Sequence, residues 1–552
     1  MEQIVTTDEM RRMEQEIMQQ AQIGTEVLME RAASAAARVI RKYSRRHCIP
    51  KHARILIVCG MGNNGADGLA LARILAEDGY AVTVCLVGNR QKRSEMNVRQ
   101  EQTLRFLLAS YALDVTIGTL TDTKENGCEY AVIVDAILGI GINRPLSGEI
   151  AQAVEWMNRL CGFHLALDIP TGVDADTGNL PGSGFLADVT VTFGAKKAGL
   201  LLGDGKRHAG KIRKDTCGIV YPKPDFPVGK RENPFLFCLG KKDVTRFLKR
   251  DPQGNKGSFG KIGMIAGNED MAGAALLSVG AAFSCGAGYI RLLTHEKNRT
   301  PVMQKWPETV LLLYREDVDH QVFGQLAGRS DVLVAGPGIG TGNMAYRLLA
   351  GLFSYLLENG CTDKKLLLDA DALNLLAEHE QLQQQFDRLT AAGVFCVITP
   401  HLLEFSRLSK KALVDVKQDK IRCAVSFAKQ HGCTVVLKDA QTVIAHPSGR
   451  VCIGIRGNDG MAVAGSGDVL TGILAACLGH AGDARTDTEN GDKQDLQSFL
   501  AVCCGVFVQG FCGDAVKKKC GAHSMLPQDQ ILSLRKCMKK LGKEAEEKNE
   551  TV

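Results

Sequence analysis

The sequence has little of what marks a nucleic-acid-binding, zinc-binding or secreted protein. Its net charge is +6, but basic residues are spread along the chain, aromatic residues make up only 5%, and no arginine-rich stretch occurs. A nucleic-acid partner is therefore not expected. The 19 cysteines include no CxxC pair and no Cys/His spacing of a metal site, and several lie inside apolar runs such as AVTVCLV and VFCVITP. We expect reduced thiols in a cytoplasmic protein.

The chain also lacks the apolar segments of secretory and membrane proteins. Its N-terminal stretch contains no apolar signal core, and Thr6 and Glu9 instead have the spacing of a capping box that begins a helix. No apolar run of about 18 residues is free of charges and turn signals, so we expect no transmembrane span. These absences favour a soluble protein.

Glycine, in contrast, is abundant: 59 of 552 residues, against a usual share of roughly 7%. The glycines concentrate in loops after apolar runs, where backbone N–H groups can approach an anion. Apolar β-branched runs alternate with helical patterns throughout, and the length exceeds that of one ordinary domain. We predict a two-domain α/β protein with parallel sheets covered on both faces by helices.

Three segments fall outside these patterns. Residues 221–235 concentrate proline and charge and are interpreted as the domain boundary. The polar segment 482–495 interrupts two helical patterns and is predicted to be a surface loop. The charged residues 539–552 are predicted to form a solvated, fraying tail.

The stretch RILIVCGMGNNGADGLALARIL, residues 54–75, predicts a strand, a glycine loop and a helix. Gly60, Gly62 and Gly65 have the G-x-G-x-x-G spacing of a dinucleotide-binding loop. The next strand ends in Gly-Asn-Arg, without the acidic residue that would bind a ribose, although Arg90 could meet a 2′-phosphate. A bound redox cofactor is therefore weakly supported.

The same loop carries Asn63, Asn64 and Asp67, which an ordinary cofactor loop does not need. Their side chains could ligate an ion or grip a polar substrate. Alternatively, the asparagines tolerate turn angles and Asp67 caps the helix.

Two later strand ends carry polar residues as well. Asp135 ends one apolar strand, and Asp168 and Thr171 follow another. Because ligands bind at the carboxyl ends of parallel strands, residues that end three strands could share one crevice. Oxygen ligands from Asn64, Asp135 and Thr171 would suit a hard cation.

The motifs GMGNNGADG, DAILGIG, LDIPTGVDADTG and TVTFGAKKAGL follow one another within residues 1–222. Together they resemble the N-terminal domain of the bifunctional NAD(P)H-hydrate repair family, a Rossmann-like, three-layer α/β/α epimerase. The resemblance implies that the glycine loop binds a damaged dinucleotide as substrate. It also implies potassium at Asn64, Asp135 and Thr171, and acid–base work for Asp168 and Lys197, which could alternatively form a structural ion pair.

The reaction that the resemblance implies inverts a carbon bearing both a hydroxyl group and the ring nitrogen. Inversion can proceed through reversible ring opening, helped by a proton donor and a proton acceptor. Ala66 stands where the family usually has glycine. The implied substrate contacts are Asn63, Asn64, Gly65, Ala66, Asp67, Gly139, Ile140, Gly141, Ile142, Asn143, Arg144, Pro145 and Asp168.

A second anion site is predicted in GNDGMAVAGSGDVLTGILAACLG, residues 457–479. Gly465 and Gly467 precede a helix, so backbone N–H groups and the helix dipole converge where a phosphate could lie. Asp468, at the start of that helix, could activate a hydroxyl group or could simply cap the helix.

Six separated motifs of the second half, among them KGSFGKIGMIAG, LLLDADALNLL and the glycine stretch above, resemble the ADP- or ATP-dependent NAD(P)H-hydrate dehydratase domain. The resemblance covers residues 236–545 and implies a ribokinase-like fold. In the implied reaction, the ring hydroxyl is phosphorylated and phosphate is then eliminated, with Asp468 taking the hydroxyl proton.

The same resemblance implies the binding residues of the second half. Damaged dinucleotide would contact Ala274, Gly338, His401 and Asp468, and the nucleotide would contact Gly467 and the segment Lys438, Asp439, Ala440, Gln441 and Thr442. Asp371 is a candidate for phosphate-linked magnesium. Simpler interpretations make His401 a hydrogen-bonded residue of the Pro400 turn, and Asp369 and Asp371 caps of the following helix.

One departure from the family concerns the nucleotide segment. The family usually has Lys-Gly-Ala-Gly-Thr, whereas this chain has an aspartate at 439 and a glutamine at 441. A carboxylate near an expected phosphate should weaken nucleotide binding unless Lys438 or a metal offsets its charge.

Taken together, we expect a cytoplasmic, homo-oligomeric repair enzyme for hydrated NADH and NADPH. It would use ADP or ATP as co-substrate, potassium in the epimerase domain and magnesium in the dehydratase domain. The alternative is a ribokinase-like small-molecule kinase that carries a non-catalytic N-terminal binding domain.

Overall fold

The structure is a computed structural model that describes residues 1–141, 144–219, 234–250, 252–481 and 491–546. The chain divides into two compact units, of which one comprises Gln3–Phe226 and the other Pro227–Val552 with the first two residues. Each unit is built around a mainly parallel sheet with helices in the connections. The predicted two-domain α/β class is therefore confirmed.

The N-terminal unit alternates strands and helices. Its elements are β1 (Glu2–Val5), α1 (Thr7–Gln20), α2 (Thr25–Arg46), β2 (Ile55–Cys59), α3 (Asn63–Glu77), β3 (Val82–Leu86), α4 (Glu95–Ser110), β4 (Val115–Thr119), α5 (Leu120–Glu125), β5 (Val132–Ala136), α6 (Gly148–Arg159), β6 (Phe163–Leu167), β7 (Val189–Phe193), β8 (Lys196–Lys197), α7 (Gly203–Ala209) and β9 (Lys211–Asp215).

Seven strands form the sheet of this unit in the order β4-β3-β2-β5-β6-β7-β9, and every pair is parallel. All residues of β2, β3 and β5 are buried, which explains their continuous apolar sequences. Alternate residues point to opposite faces, so Ile55 and Ile57 pack under α2 and α3, whereas Leu56 and Val58 pack under α6. Separately, β1 pairs with β8 in parallel.

The C-terminal unit has more helices. Its elements are β10 (Phe235–Cys238), α8 (Lys241–Phe247), β11 (Lys261–Ile265), α9 (Ala272–Ser284), β12 (Tyr289–His295), α10 (Arg299–Lys305), β13 (Val310–Tyr314), α11 (Gln321–Ala327), β14 (Val332–Ala335), α12 (Asn343–Glu358), β15 (Lys365–Leu368), α13 (Asp371–Glu378), α14 (Glu380–Ala391), β16 (Phe395–Ile398), α15 (Leu402–Ser409), α16 (Leu413–Gln418), α17 (Lys420–His431), β17 (Thr434–Leu437), β18 (Val443–Ala445), β19 (Arg450–Ile453), α18 (Ser466–His480), α19 (Gly491–Cys520) and α20 (Pro527–Glu546).

The strands of this unit lie in the order β13-β12-β11-β14-β15-β16-β17-β18-β19-β10. Pairing is parallel from β13 to β17 and again between β19 and β10, and it is antiparallel through β17, β18 and β19. The parallel strands therefore end at one edge, where the loops that lead into α9, α13 and α15 begin.

Several local expectations are confirmed. Thr6 and Glu9 form the capping box of α1, with both reciprocal hydrogen bonds present. All 19 cysteines are free, and most of them are buried.

The boundary segments need correction. Phe235, assigned to the linker, is the first residue of β10, and residues 491–495 of the predicted surface loop already belong to α19. The tail is helical as far as Glu546, with Leu541 fully buried, because α20 continues to pack. Residues 220–233, 482–490 and 547–552 lie outside the described part of the chain.

One helix bears on the expectation of no transmembrane span. Within α19, Asp495–Cys520 is long and apolar enough to span a bilayer, with a mean hydropathy of 1.8. However, 78% of its most apolar window is buried inside the protein, as in the core helix of a globular domain.

Candidate functional site

The strand ends of the N-terminal unit bring polar residues together as predicted. Asp135, fully buried in β5, accepts hydrogen bonds from the backbone N–H and the hydroxyl of Thr171, both at 2.7 Å. It also accepts one from the N–H of Ile137 at 3.1 Å. Burial raises the pKa of Asp135 to about 6, although these hydrogen bonds act in the opposite direction.

The side chain of Asn64 is buried without hydrogen bonds to the described residues. Its amide oxygen and nitrogen are both buried and have no hydrogen-bond partner among the described residues. A Cβ on Gly139 would lie 3.6 Å from Cβ of Asn64 and 3.8 Å from Oδ2 of Asp168. Since a buried unpaired amide is costly, the space bounded by these three residues is suited to a polar ligand.

Asp168 and Lys197 form an ion pair at the end of β6. Lys197 is 1% exposed, and its Nζ donates to Oδ1 of Asp168 at 2.5 Å and to the carbonyl of Phe193 at 2.8 Å. The backbone of Asp168 has a φ of 62°, in the left-handed region that a non-glycine residue rarely adopts. Such strain is often found at functional sites.

The capping interpretation of the first loop was wrong. The N-cap of α3 is Gly62, no side chain caps this helix, and Asn63 and Asn64 already belong to its first turn without positive φ. Asp67 lies one turn into α3 and is half-buried. Burial first, and then the charges of Asp168 and Glu14, raises its pKa well above the usual range.

Close backbone contacts determine the conformation of the glycine loop. A Cβ on Gly65 would lie 1.9 Å from the carbonyl oxygen of Gly60, so this close approach excludes a side chain at 65. At Gly62, by contrast, a Cβ would meet nothing within 4 Å, which leaves room beside the helix N-terminus. Ala66 is fully buried in the core between helix and sheet, so only its backbone is available to a ligand.

The predicted contact segment 139–145 is only partly described. Ile140 packs against two apolar clusters, and Gly141, Arg144 and Pro145 are exposed. Ile142 and Asn143 lie outside the described residues.

In the C-terminal unit, Asp468 lies in the first turn of α18, whose N-cap is Gly465 without a side-chain cap. The capping interpretation of Asp468 was therefore wrong as well. Its carboxylate makes no hydrogen bond or ion pair within the described residues. Burial, followed by the charges of Asp369 and Asp371, raises the pKa of Asp468 to about 7, although Lys438 acts in the opposite direction.

Lys438 connects the glycine loop to a buried aspartate. A Cβ on Gly467 would lie 3.6 Å from Nζ of Lys438, and that Nζ donates to Oδ1 of Asp369 at 2.8 Å. The hydroxyl of Thr471 donates to Oδ2 of Asp369 at 2.5 Å. Burial opposes ionisation of Asp369, but Lys438 and these hydrogen bonds lower its pKa overall. A half-buried cation therefore lies beside the predicted phosphate site.

The caps proposed for α13 are absent. Its N-cap is Ala370, and no side chain caps it. Asp369 instead accepts hydrogen bonds from Lys438 and Thr471, and Asp371 accepts one from the N–H of Gly340 at 2.8 Å.

The implied dinucleotide contacts of this unit lie near Asp468. The hydroxyl of Ser278 donates to the carbonyl of Asp468 at 3.1 Å, and Ala274 lies one turn earlier on the same face of α9. Gly338 has a φ of 63°, and a Cβ there would lie 2.7 Å from that of Ala274. Helix α9 thus links Asp468 to the loop after β14.

His401 has a local structural role and also adjoins the site. Its Nδ1 accepts the N–H groups of Leu403 and Glu404, each at 3.2 Å, so it is hydrogen-bonded after Pro400 as the simpler interpretation proposed, and it also caps α15. It forms a parallel bridge with Lys438, which places it beside this lysine. Burial and the charge of Lys438 lower its pKa.

The segment 438–442 connects β17 to β18. Within this segment, Lys438 approaches Gly467. The carbonyl of Thr442 accepts the N–H of Gly454 at 2.8 Å, while Ala440 is exposed. Asp439 forms a short ion pair with the buried Lys420 of α17. The carboxylate that replaces the family's glycine is therefore neutralised by a residue that the sequence did not suggest.

The comparisons with known proteins agree with this division of the chain. One family model, the YjeF-related protein N-terminus, matches residues 25–199, and another, NAD(P)H-hydrate dehydratase, matches residues 262–535. The bifunctional NAD(P)H-hydrate repair enzyme Nnr of Thermofilum pendens is 31% identical over 98% of this chain and 97% of its own. The chain belongs to the bifunctional NAD(P)H-hydrate repair family.

The chain is also similar to a second curated enzyme and to two solved structures. The Nnr enzyme of Escherichia coli is 31% identical over 96% of this chain and 92% of its own. Among solved structures, a ribokinase-like superfamily protein from Enterococcus faecalis is 25% identical, with a TM-score of 0.46, over 55% of this chain and 96% of its own. The ADP/ATP-dependent NAD(P)H-hydrate dehydratase from Bacillus subtilis, co-crystallised with ATP/Mg²⁺, is 23% identical over 56% and 99%, with a TM-score of 0.44.

Burial of Asp468 predicts a measurable stability cost. Because its pKa rises from 3.8 to about 7, the folded protein keeps a proton that the unfolded chain has lost, so stability falls as pH rises through this window. Asp468→Asn should therefore stabilise the C-terminal unit at pH 8, on the order of 4 kcal/mol, and have little effect near pH 4.

Denaturant unfolding at pH 4, 6 and 8 checks this expectation. The exposed Asp363 serves as the control, since its change to asparagine should leave stability unchanged at every pH. A difference between wild type and Asp468→Asn that does not change with pH would contradict the stated origin of the cost.

Proposed function

We propose that this chain repairs hydrated NADH and NADPH in two steps that take place in its two units. The N-terminal unit interconverts the R and S hydrates, and the C-terminal unit dehydrates the S hydrate with ADP or ATP. Family membership supports the overall activity. The observation that carries the assignment of the sites is the unpartnered Asp468 carboxylate beside a glycine loop and the half-buried cation of Lys438.

Dehydration follows from the chemistry of these groups. With a pKa near 7, Asp468 can accept the proton of the ring hydroxyl at neutral pH as that oxygen attacks the terminal phosphoryl group. The N–H groups at the start of α18 and the cation of Lys438 stabilise the charge on the transferred group. Phosphate then leaves the ring with the electron pair of the carbon–oxygen bond, far more readily than hydroxide would, and loss of a proton from the neighbouring ring carbon restores the double bond.

Magnesium would accompany the nucleotide phosphates. The described residues contain no cluster of three His, Cys, Asp or Glu side chains suited to hold a metal by themselves. Magnesium commonly binds through one or two carboxylates plus substrate phosphates. Asp371 and Asp369, which lie near Asp468, would supply these carboxylates.

Epimerisation is assigned to Asp168 and Lys197. Asp168 would act as the proton acceptor, and Lys197, paired with it, would stabilise the carboxylate or supply a proton. The glycine loop, the first turn of α3 and segment 139–145 would hold the dinucleotide, in agreement with the room beside Gly62.

Potassium in the N-terminal unit is supported by the unpaired amide of Asn64 and the buried carboxylate of Asp135. Asn64, Asp135 and Thr171 would hold the ion through oxygen atoms. The bound cation would keep Asp135 ionised and fix the loop after β5.

The potassium assignment can be tested without measuring activity. We expect KCl to raise the melting temperature above that in choline chloride at equal ionic strength, and Asn64→Ala to remove most of this difference. Equal melting temperatures of the wild type in the two salts would rule out the site.

The central test mixes the protein with both hydrate epimers and ADP or ATP, then follows reduced cofactor, phosphate and epimer composition. Asp468→Asn should lower dehydration by at least about 100-fold and leave epimer exchange intact. Asp168→Ala should slow repair of one epimer only.

The rival function predicts a different product from the same assay. A small-molecule kinase would leave a stable phosphorylated compound and release no phosphate. Loss of both activities in Asp468→Asn, or equal loss for both epimers in Asp168→Ala, would refute the assignment of separate sites.

The ion pair of Lys420 and Asp439 makes a further prediction about nucleotide binding. Lys420→Ala should raise the KM for ADP or ATP about 10-fold, because it leaves a carboxylate unneutralised next to Lys438. Asp439→Gly in the same protein should restore the KM. A double variant as weak as Lys420→Ala would show that the lysine acts in another way.

We further propose a homo-oligomer that resides in the cytoplasm, in agreement with the 19 free cysteines. Light scattering on the purified protein tests the first proposal, and imaging of the tagged full-length chain tests the second.

A further inference from the structure

Helix α1 carries one acidic residue on its inward face. Met10, Met13 and Ile17 belong to one apolar cluster, and their spacing defines the buried stripe of the helix. Glu14 lies one turn after Met10 and next to Met13, so it belongs to the same stripe. It is half-buried, whereas its neighbours Gln15 and Glu16 are exposed.

The stripe covers the strand that carries Lys197. A Cβ on Gly194 would lie 2.4 Å from Cε of Met10, and Ala195 belongs to the same cluster as Met10. Strand β1, which leads into α1, pairs with β8 so that Val5 is opposite Lys197. Ile140, from the proposed substrate-contact segment, also packs against this cluster. Glu14 therefore belongs to a helix face that packs against that segment and against the residues just before Lys197.

The carboxylate of Glu14 makes no hydrogen bond or ion pair within the described residues. Burial raises its pKa, as does the charge of Asp168, whereas Lys197 and Arg11 lower it. Glu14 in turn raises the pKa of Asp67. An apolar residue would complete this stripe at lower cost, so packing does not explain a glutamate here.

Ring opening of the hydrate requires two proton transfers. One group removes the proton of the hydroxyl as the carbon–nitrogen bond breaks and its electron pair moves to nitrogen, and a second group protonates that nitrogen. Closure from the opposite face of the new carbonyl reverses both transfers and inverts the centre. Asp168, fixed by Lys197, suits the accepting role, and the donating role requires a carboxyl group that still holds a proton.

We propose that Glu14 is this second acid–base residue, which donates its proton to the ring nitrogen from the side of α1 while Asp168 acts from the end of β6. The inference rests on the proposed epimerase function of the N-terminal unit. Glu14 holds the proton without an ion pair, and closure of the ring returns it to the carboxyl group.

The test compares Glu14→Gln with Glu16→Gln in the full-length protein, since Glu16 is an exposed glutamate of the same helix. We expect Glu14→Gln to lower the kcat of epimer exchange about 100-fold, with a small change in KM and intact dehydratase activity. The fall in kcat at high pH, which deprotonation of Glu14 causes in the wild type, should be absent from the residual activity. Glu16→Gln should match the wild type.

Three outcomes would overturn the proposal. Exchange at the wild-type rate in Glu14→Gln is the first. Loss of exchange in Asp67→Asn but not in Glu14→Gln is the second, because the proton would then belong to Asp67. The third is an ordinary pKa for Glu14. Carbon-13 NMR of the carboxyl groups measures this pKa, and the Glu14 signal is the one that is present in the wild type and missing from Glu14→Gln.

The NMR measurement distinguishes failure of this proposal from failure of the proposed epimerase function. A wild-type chain that fails to speed epimer exchange over the spontaneous rate would refute the proposed function of this unit. In that case, a raised pKa for Glu14 would still demonstrate a proton-holding group beside Asp168.

Discussion

Both candidate sites depend on carboxylates that the fold withdraws from water at the carboxyl ends of parallel strands. An isolated buried charge is costly, and each unit offsets this cost with one lysine. Lys197 pairs with Asp168 in the N-terminal unit, and Lys438 pairs with Asp369 in the C-terminal unit. Each pair keeps one aspartate in a fixed position.

Each site then contains further carboxyl groups that no cation pairs with. Asp67 and Glu14 in one unit, and Asp468 in the other, make no side-chain hydrogen bond or ion pair within the described residues, and burial raises their pKa values. A fixed, paired carboxylate beside one that holds a proton is the usual arrangement for acid–base chemistry at neutral pH. Two unrelated sheets thus provide the same combination of groups.

Some site features were predictable because they are local in sequence. Glycine spacing after an apolar strand predicted both loops. The rule that ligands bind at the carboxyl ends of strands predicted that Asp135 and Thr171 lie close together, and they are hydrogen-bonded to each other. The caps proposed for Asp67 and Asp468 failed, because Gly62 and Gly465 occupy the N-cap positions and the aspartates lie inside the helices. A shift of a few residues in a helix start decides between a capping aspartate and one whose carboxylate stays unpaired.

By itself, the sequence determined the α/β class, the two units, the glycine loops and the family, because alternating apolar runs and short motifs are properties of neighbouring residues. Only the tertiary structure decided which polar groups come together: Lys420 with Asp439, Thr471 with Asp369, and Glu14 near Asp168. These groups are 19, 102 and more than 150 positions apart, respectively. Their proximity depends on how helices pack against strand ends, and no local pattern records that packing.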